Sequence, residues 1–116
     1  MTDQGFDFQF DVRDNGVAIL TLDRPETLNS LTFEIYAQLE KLFVDLQTDD
    51  SVKAIILTGA GKGFCSGGNV EEIIARLLEM DLDQTLAFTR MTGAVVRNMR
   101  RLNKPIIGAI NGTAAG

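Results

Sequence analysis

Apolar residues stand at every second position from Phe6 to Val12, with polar residues between them. This two-residue period predicts a β-strand with one face in water. Asn15-Gly16 follows, and because both residues tolerate positive φ, the pair predicts a tight hairpin turn. Val17 to Leu22 is then the expected partner strand.

A helical period begins after the Asp23-Arg24-Pro25 segment. Thr32 is the predicted N-cap of a helix that runs to about Gln47. Its apolar residues share one face: Ile35, Tyr36, Leu39, Leu42, Phe43 and Leu46. Val52 to Thr58 is almost continuously apolar, which is typical of a strand covered on both faces of a parallel sheet.

Two more helices are predicted, one from Val70 to Leu78 and one from Asp83 to near Leu102. Pro105 to Ile110 is expected to be an interior strand, parallel to the Val52–Thr58 strand through a right-handed helical crossover. The elements therefore define an α/β chain. Since no further helix follows to cover the last strand, we expect the 116 residues to be an N-terminal part of a larger domain.

The glycine-rich stretch from Leu57 to Asn69, LTGAGKGFCSGGN, lies between a predicted strand and a predicted helix. It is not a Walker loop, because Gly63 occupies the place of the required Ser or Thr. It is not the dinucleotide fingerprint, because Phe64 stands where a third glycine is needed. Gly67 and Gly68 leave backbone N–H groups uncovered at the helix start, where they can bind a developing negative charge. The stretch is a candidate oxyanion site.

Composition narrows the classes of function. The chain has 45% hydrophobic and 23% charged residues, as in one globular domain, and its net charge of -5 argues against a nucleic-acid surface. No apolar run reaches the roughly 20 residues that span a bilayer, and the N-terminus lacks the features of a signal peptide. We therefore expect a cytoplasmic protein that binds neither nucleic acid nor membrane.

Cys65 is the only cysteine, and the chain contains no histidine. A single cysteine cannot form an internal disulfide, which agrees with a reducing compartment, and we expect Cys65 to pack as a small hydrophobic residue. The lack of histidine excludes Ser-His-Asp and Cys-His machinery and the usual His-based zinc sites within these residues. No metal site is predicted.

Four segments carry a family resemblance: DRPETLNSLT at 23–32, AIILTG at 54–59, KGFCSGGN at 62–69 and KPIIGAINGTAAG at 104–116. In order and spacing they resemble the N-terminal half of the enoyl-CoA hydratase/isomerase, or crotonase, superfamily. The resemblance implies a crotonase-like spiral of ββα units, with residues 1–116 as the N-terminal part of a single domain whose C-terminal half is absent. It also implies an acyl-CoA thioester substrate, no cofactor besides the coenzyme A of that substrate, and a homotrimer or dimer of trimers at full length.

The same resemblance assigns the oxyanion donors. In the family, two backbone N–H groups polarise the thioester carbonyl and stabilise its enolate. The first corresponds to Gly68, and the second to Gly116 or to the residue that would follow it.

The resemblance also points to two loops that hold the CoA moiety, largely through the main chain, at Leu28, Phe64, Ser66 and Gly67. Arg24 and Lys62 are cations close to these loops. Two interpretations stay open for each of them, a contact with the CoA phosphates or an ordinary solvated loop charge.

Acid–base groups are the part of the site that the resemblance does not supply. Hydratases of the family use glutamates that follow the Asn-Gly turn, beyond Gly116. Glu71 and Glu72 are expected to complement the dipole of the helix that they begin, with a general-acid role as the alternative. Asn69 stands where many family members carry Asp, and it can still cap that helix.

Aromatic and methionine side chains of the last helix, Phe88, Met91 and Met99, are expected to pack in the core, with an acyl pocket as the alternative.

The predicted protein is a 2-enoyl-CoA hydratase or isomerase, a lyase or isomerase of fatty acid metabolism. We expect the 116 residues alone to be inactive. Two other hypotheses are a non-catalytic CoA-binding or assembly subunit and an inactive truncated product.

Overall fold

The computed structural model describes residues 5–116. Its elements, in chain order, are β1 (Gln9–Val12), β2 (Val17–Leu22), a 3-10 turn (Pro25–Thr27), α1 (Phe33–Asp45), β3 (Ala54–Gly59), α2 (Val70–Glu79), α3 (Leu82–Arg101) and β4 (Ile106–Gly108). Every predicted strand and helix is present, with ends moved by a few residues. No helix within residues 5–116 combines the length and the apolarity that crossing a bilayer requires.

The four strands form one sheet in the order β1-β2-β3-β4. β1 pairs with β2 in the antiparallel sense, whereas β3 runs parallel to both β2 and β4. The chain passes from β3 to β4 through α2 and α3. The prediction of a hairpin followed by parallel strands with a helical crossover is confirmed.

The turn between β1 and β2 lies at the predicted Asn15-Gly16 pair. Gly16 has a φ of +87°, but Asn15 is not among the residues with positive φ. The Gly16 N–H donates to the Arg13 carbonyl (3.0 Å), and the Arg13 N–H donates to the Val17 carbonyl (2.9 Å). The hairpin turn predicted at Asn15-Gly16 is thus confirmed, as a three-residue loop with a left-handed conformation only at its last position.

The core lies between the sheet and α1, with α3 packed on α1. Thr32 is the N-cap of α1 as predicted, since its Oγ1 accepts a hydrogen bond from the Ile35 N–H (3.2 Å). The most deeply buried apolar side chains come from the sheet, α1 and the segment after α1: Ala18, Leu20, Ile35, Phe43, Leu46, Val52 and Ile55.

One expectation about the parallel strands is not met within residues 5–116. In β3 only Ile55 is fully buried, and the other residues are half-buried, so the strand is not covered on both faces. β4 lies at the edge of the sheet, and the exposed fraction of Ile107 is 54%, so the last strand is uncovered within these residues, as expected. The reason is the placement of the helices, because α2 buries none of its own residues and so adds little cover.

Candidate functional site

The segment that follows β2 folds onto the glycine-rich loop through one buried side chain, that of Asn29. Its Oδ1 accepts a hydrogen bond from the Arg24 N–H (2.8 Å), and its Nδ2 donates to the carbonyls of Ala60 (2.9 Å) and Gly63 (2.8 Å). Leu28 and Asn29 both have positive φ, 54° and 60°, which is uncommon for residues other than glycine. These hydrogen bonds hold the strained backbone in place.

Backbone hydrogen bonds continue this contact up to the start of α2. The Leu31 N–H donates to the Gly67 carbonyl, and the Asn69 N–H donates to the Leu31 carbonyl, both at 2.8 Å. The Ser66 hydroxyl donates to the Thr27 carbonyl (2.9 Å). The two loops assigned to CoA by the resemblance are therefore packed side by side.

The turn after β4 pairs with the same loop from its other side. Thr113 accepts hydrogen bonds through its carbonyl from the N–H groups of Phe64 (2.9 Å) and Cys65 (3.0 Å), and the Ala115 N–H donates to the Cys65 carbonyl (2.8 Å). Cys65 also packs against the core, as predicted. The turn is thereby aligned parallel to the end of the glycine-rich loop.

Two glycines permit this close approach. Gly67 has a φ of +96°, and a Cβ added to it would stand 3.1 Å from the Gly116 Cα. A Cβ on Gly112 would overlap the Lys62 carbonyl oxygen. Any other residue in place of Gly67 would strain the backbone, and any other residue in place of Gly112 would push the loops apart.

The N–H groups of Gly68 and Gly116 are left without an acceptor in the part of the chain that the structure describes. Gly68 immediately precedes Asn69, whose Oδ1 accepts from the Glu72 N–H (2.9 Å) and so caps α2 as predicted. The positive end of the α2 dipole therefore lies at Gly68. Unpaired N–H groups beside a helix start can bind an oxygen that carries negative charge.

The Arg76 side chain connects helix α2 to α1. The Arg76 Nη1 donates to the Glu34 Oε1 (2.9 Å), and its guanidinium lies over the Phe33 ring, 4.1 Å from the ring centroid. Because both partners belong to the first turn of α1, this contact holds α2 beside that turn.

The predicted cations differ in their surroundings. The Arg24 Nη1 donates to the Ser30 carbonyl (3.2 Å), so its side chain is turned onto its own loop. Lys62 is exposed and makes no hydrogen bond or ion pair with residues 5–116. Leu28 is 39% exposed, and Phe64 is half-buried.

The two glutamates at the start of α2 do not share one environment. Glu71 is exposed, whereas Glu72 borders a depression of about 440 Å³ together with Asp23, Arg24 and Glu34. Both lie in the first turn of α2, where the helix dipole favours negative charge. Their predicted structural position is confirmed.

The sequence patterns did not identify Tyr36 as part of the site. Its hydroxyl lies 3.4 Å from the point where a Cβ on Gly68 would stand, and its ring meets the Phe88 ring edge-on, with centroids 6.0 Å apart. Burial, together with a smaller effect of the Cys65 charge, raises the pKa of Tyr36. The available signal was that Tyr36 is the only tyrosine of the chain, on an otherwise apolar helix face.

Comparisons with known proteins agree with this geometry. The profile of the enoyl-CoA hydratase/isomerase family matches residues 12–116. A 1,2-epoxyphenylacetyl-CoA isomerase of Escherichia coli K12 is 39% identical over 103 residues, which cover 89% of this chain and 39% of the relative. The protein named "Probable enoyl-CoA hydratase 1, peroxisomal" of Arabidopsis thaliana is 42% identical over 106 residues, which cover 85% of this chain and 35% of the relative.

Comparison with solved structures indicates the same family. A crystal structure assigned to an enoyl-CoA hydratase of Streptomyces coelicolor A3(2) has a TM-score of 0.92 and 47% identity, and the match covers 100% of this chain and 42% of that one. The chain thus spans less than half the length of each of these proteins. Its sheet, helices and paired loops define the N-terminal portion of a crotonase fold. The chain belongs to the enoyl-CoA hydratase/isomerase family.

Proposed function

We propose that this chain carries the thioester-binding part of an acyl-CoA hydratase or isomerase, and that the N–H of Gly68 and an N–H of the turn at Gly116 bind the thioester oxygen. One observation carries the proposal. Both N–H groups lack an acceptor within residues 5–116, and the hydrogen bonds between Cys65 and the turn hold their two loops together. The names of the relatives, hydratases and an isomerase of CoA thioesters, support this substrate class.

The chemistry of such a site is electrostatic. When a thioester becomes an enolate, negative charge develops on its carbonyl oxygen. Donors that already face this position stabilise the charge without reorganising, and the positive end of the α2 dipole adds to their effect.

Proton transfer is not assigned to any of these residues. Glu72 shares the depression with Arg24 and three other carboxylates, and Glu71 is exposed. In this proposal the 116 residues bind and polarise a thioester but do not turn it over alone. A homotrimer or a dimer of trimers is the assembly that we propose for a full-length protein of this family.

The proposed CoA contacts come from the two loops that Asn29 joins, at Leu28, Phe64, Ser66 and Gly67. The Ser66 hydroxyl already donates to Thr27, so Ser66 would act through its main chain. Lys62 is the better of the two cations for a CoA phosphate, since it is exposed and Arg24 is turned onto Ser30.

A second candidate is a CoA-binding module without catalysis, which the lack of an assigned acid–base group favours. The infrared frequency of the thioester carbonyl distinguishes the two candidate functions. The band is recorded for crotonyl-CoA labelled with ¹³C at the carbonyl carbon, both free and bound to the chain. Polarisation by two N–H donors lowers the frequency of the band, as the proposed function requires. If the thioester binds and its carbonyl band is unshifted, the result supports the CoA-binding module without catalysis. Absence of binding contradicts both candidate functions.

A further inference from the structure

The phenol of Tyr36 is the polar group nearest to Gly68 on the side where a Cβ would stand. Tyr36 lies in the first part of α1, and its hydroxyl is 3.4 Å from that Cβ position. Ile73, at the start of α2, approaches the same position to 3.8 Å. The hydroxyl therefore lies next to Gly68, a residue of the proposed thioester site, and beside an apolar side chain.

The Tyr36 ring packs against neighbouring aromatic rings. Phe88 of α3 packs edge-on against it, and Phe88 in turn stacks on Phe33 with ring centroids 4.1 Å apart. Because α1 and α3 both contribute to this aromatic group, packing among the three rings orients the Tyr36 ring. Such a rigid donor can discriminate between ligands without first being ordered.

The hydroxyl makes no hydrogen bond with any residue between 5 and 116. Its pKa is raised, first by burial and then by Cys65, so the group stays protonated and can donate throughout the neutral range. A half-buried donor next to a residue of the proposed site, without a partner in this part of the chain, is available to a ligand.

The thioester oxygen is not the natural acceptor. It has two lone pairs, and the proposed function assigns both to backbone N–H groups. The remaining acceptor must lie elsewhere on the ligand, on the acyl group close to the carbonyl.

We propose that the Tyr36 hydroxyl donates a hydrogen bond to an oxygen on the acyl group of the bound thioester, and so makes the site prefer acyl groups that carry a hydroxyl or keto oxygen near the carbonyl. This inference rests on the proposed function. Tyr36 is then a specificity-determining residue. A hydrocarbon acyl group of the same shape binds less well because it leaves the hydroxyl unpaired.

The test compares two ligands of equal shape, 3-hydroxybutyryl-CoA and 3-methylbutyryl-CoA, which differ by a hydroxyl in place of a methyl group. Dissociation constants are measured by calorimetry for the chain and for Tyr36→Phe. We expect the unaltered chain to prefer the hydroxyl ligand by about tenfold, the scale of one hydrogen bond, and the variant to bind both about equally.

A second measurement reports on the phenol itself. Since the chain has one tyrosine, tyrosine labelled with ¹³C at the ζ carbon gives a single NMR resonance. The resonance should move with 3-hydroxybutyryl-CoA and stay nearly unchanged with 3-methylbutyryl-CoA. Binding of both ligands with equal affinity and equal resonance shifts overturns this inference alone. Absence of binding by either ligand overturns the proposed function and the inference with it.

Discussion

Asn29 and Asn111 donate hydrogen bonds to the same carbonyl oxygen, that of Gly63, at 2.8 Å and 3.1 Å. Asn111 also accepts from the Gly59 N–H (3.1 Å) and donates to the Gly61 carbonyl (3.1 Å). The glycine-rich loop is therefore held from two sides by amide side chains of other loops. This arrangement sets where Gly68 stands relative to the turn at Gly116.

Replacing Asn29 with Ala should destabilise the fold. The half-buried N–H of Arg24 and the carbonyl of Ala60 lose their partner, and a non-glycine residue at positive φ loses the hydrogen bonds that hold it. We expect the free energy of unfolding to fall by about 3 kcal/mol, measured by urea denaturation. Asn98→Ala is the control, since Asn98 makes one side-chain bond to Glu40 (3.2 Å) from within a helix and should cost less than about 1 kcal/mol. Equal losses in the two variants would show that Asn29 has no special role.

Replacing Gly112 with Ala should separate the two loops of the proposed site. The new Cβ would overlap the Lys62 carbonyl and stand 3.2 Å from the Gly63 Cα, and backbone atoms cannot yield as a flexible side chain does. We expect lower stability and loss of thioester binding. In the matched control Gly93→Ala, within α3, the Cβ would meet nothing within 4 Å, and higher helix propensity should stabilise the chain by up to about 1 kcal/mol. Unchanged binding by the Gly112 variant would contradict the arrangement.

Removing the Gly68 N–H should weaken the polarisation of the thioester. Gly68→Pro lacks the donor, so the infrared shift of the bound carbonyl should shrink and affinity should fall about tenfold. Gly68→Ala keeps the N–H, and its Cβ would stand 3.4 Å from the Tyr36 hydroxyl, so it should retain the shift. A full shift in the proline variant would remove Gly68 from the proposed oxyanion site.

Alkaline titration should report the environment of Tyr36 directly, because it is the only tyrosine. Its pKa is raised above the ordinary value of about 10, mainly by burial. The folded state thus holds the phenolic proton more tightly than the unfolded state. Its contribution to the free energy of unfolding is complete below about pH 10 and is lost as the pH rises through the folded pKa.

Tyrosinate absorbance measures this titration. The folded chain should titrate above about pH 10, and the chain unfolded in guanidinium should titrate near it. Tyr36→Phe should abolish both the absorbance change and the alkaline loss of stability that it causes. A folded midpoint at or below the unfolded one would refute the half-buried placement of the phenol.

Short-range patterns in the sequence predicted most of the elements. Thr32 and Asn69 cap helices because each side chain bonds an N–H three residues ahead, a relationship that spacing reveals directly. The apolar runs predicted β2 and β3, and the glycines of the 57–69 stretch indicated an open backbone before α2. The hairpin turn was predicted only in part, since an Asn-Gly pair fits more than one loop length.

The tertiary structure alone decided how the loops meet. The bonds from Asn29 and Asn111 to Gly63 join residues 34 and 48 positions apart, and no local spacing indicates them. The place of β4 at the sheet edge depends in the same way on which elements cover it. Helical periodicity placed Tyr36 on the inner face of α1. The position of its hydroxyl relative to Gly68, however, depends on how separate segments of the chain pack together.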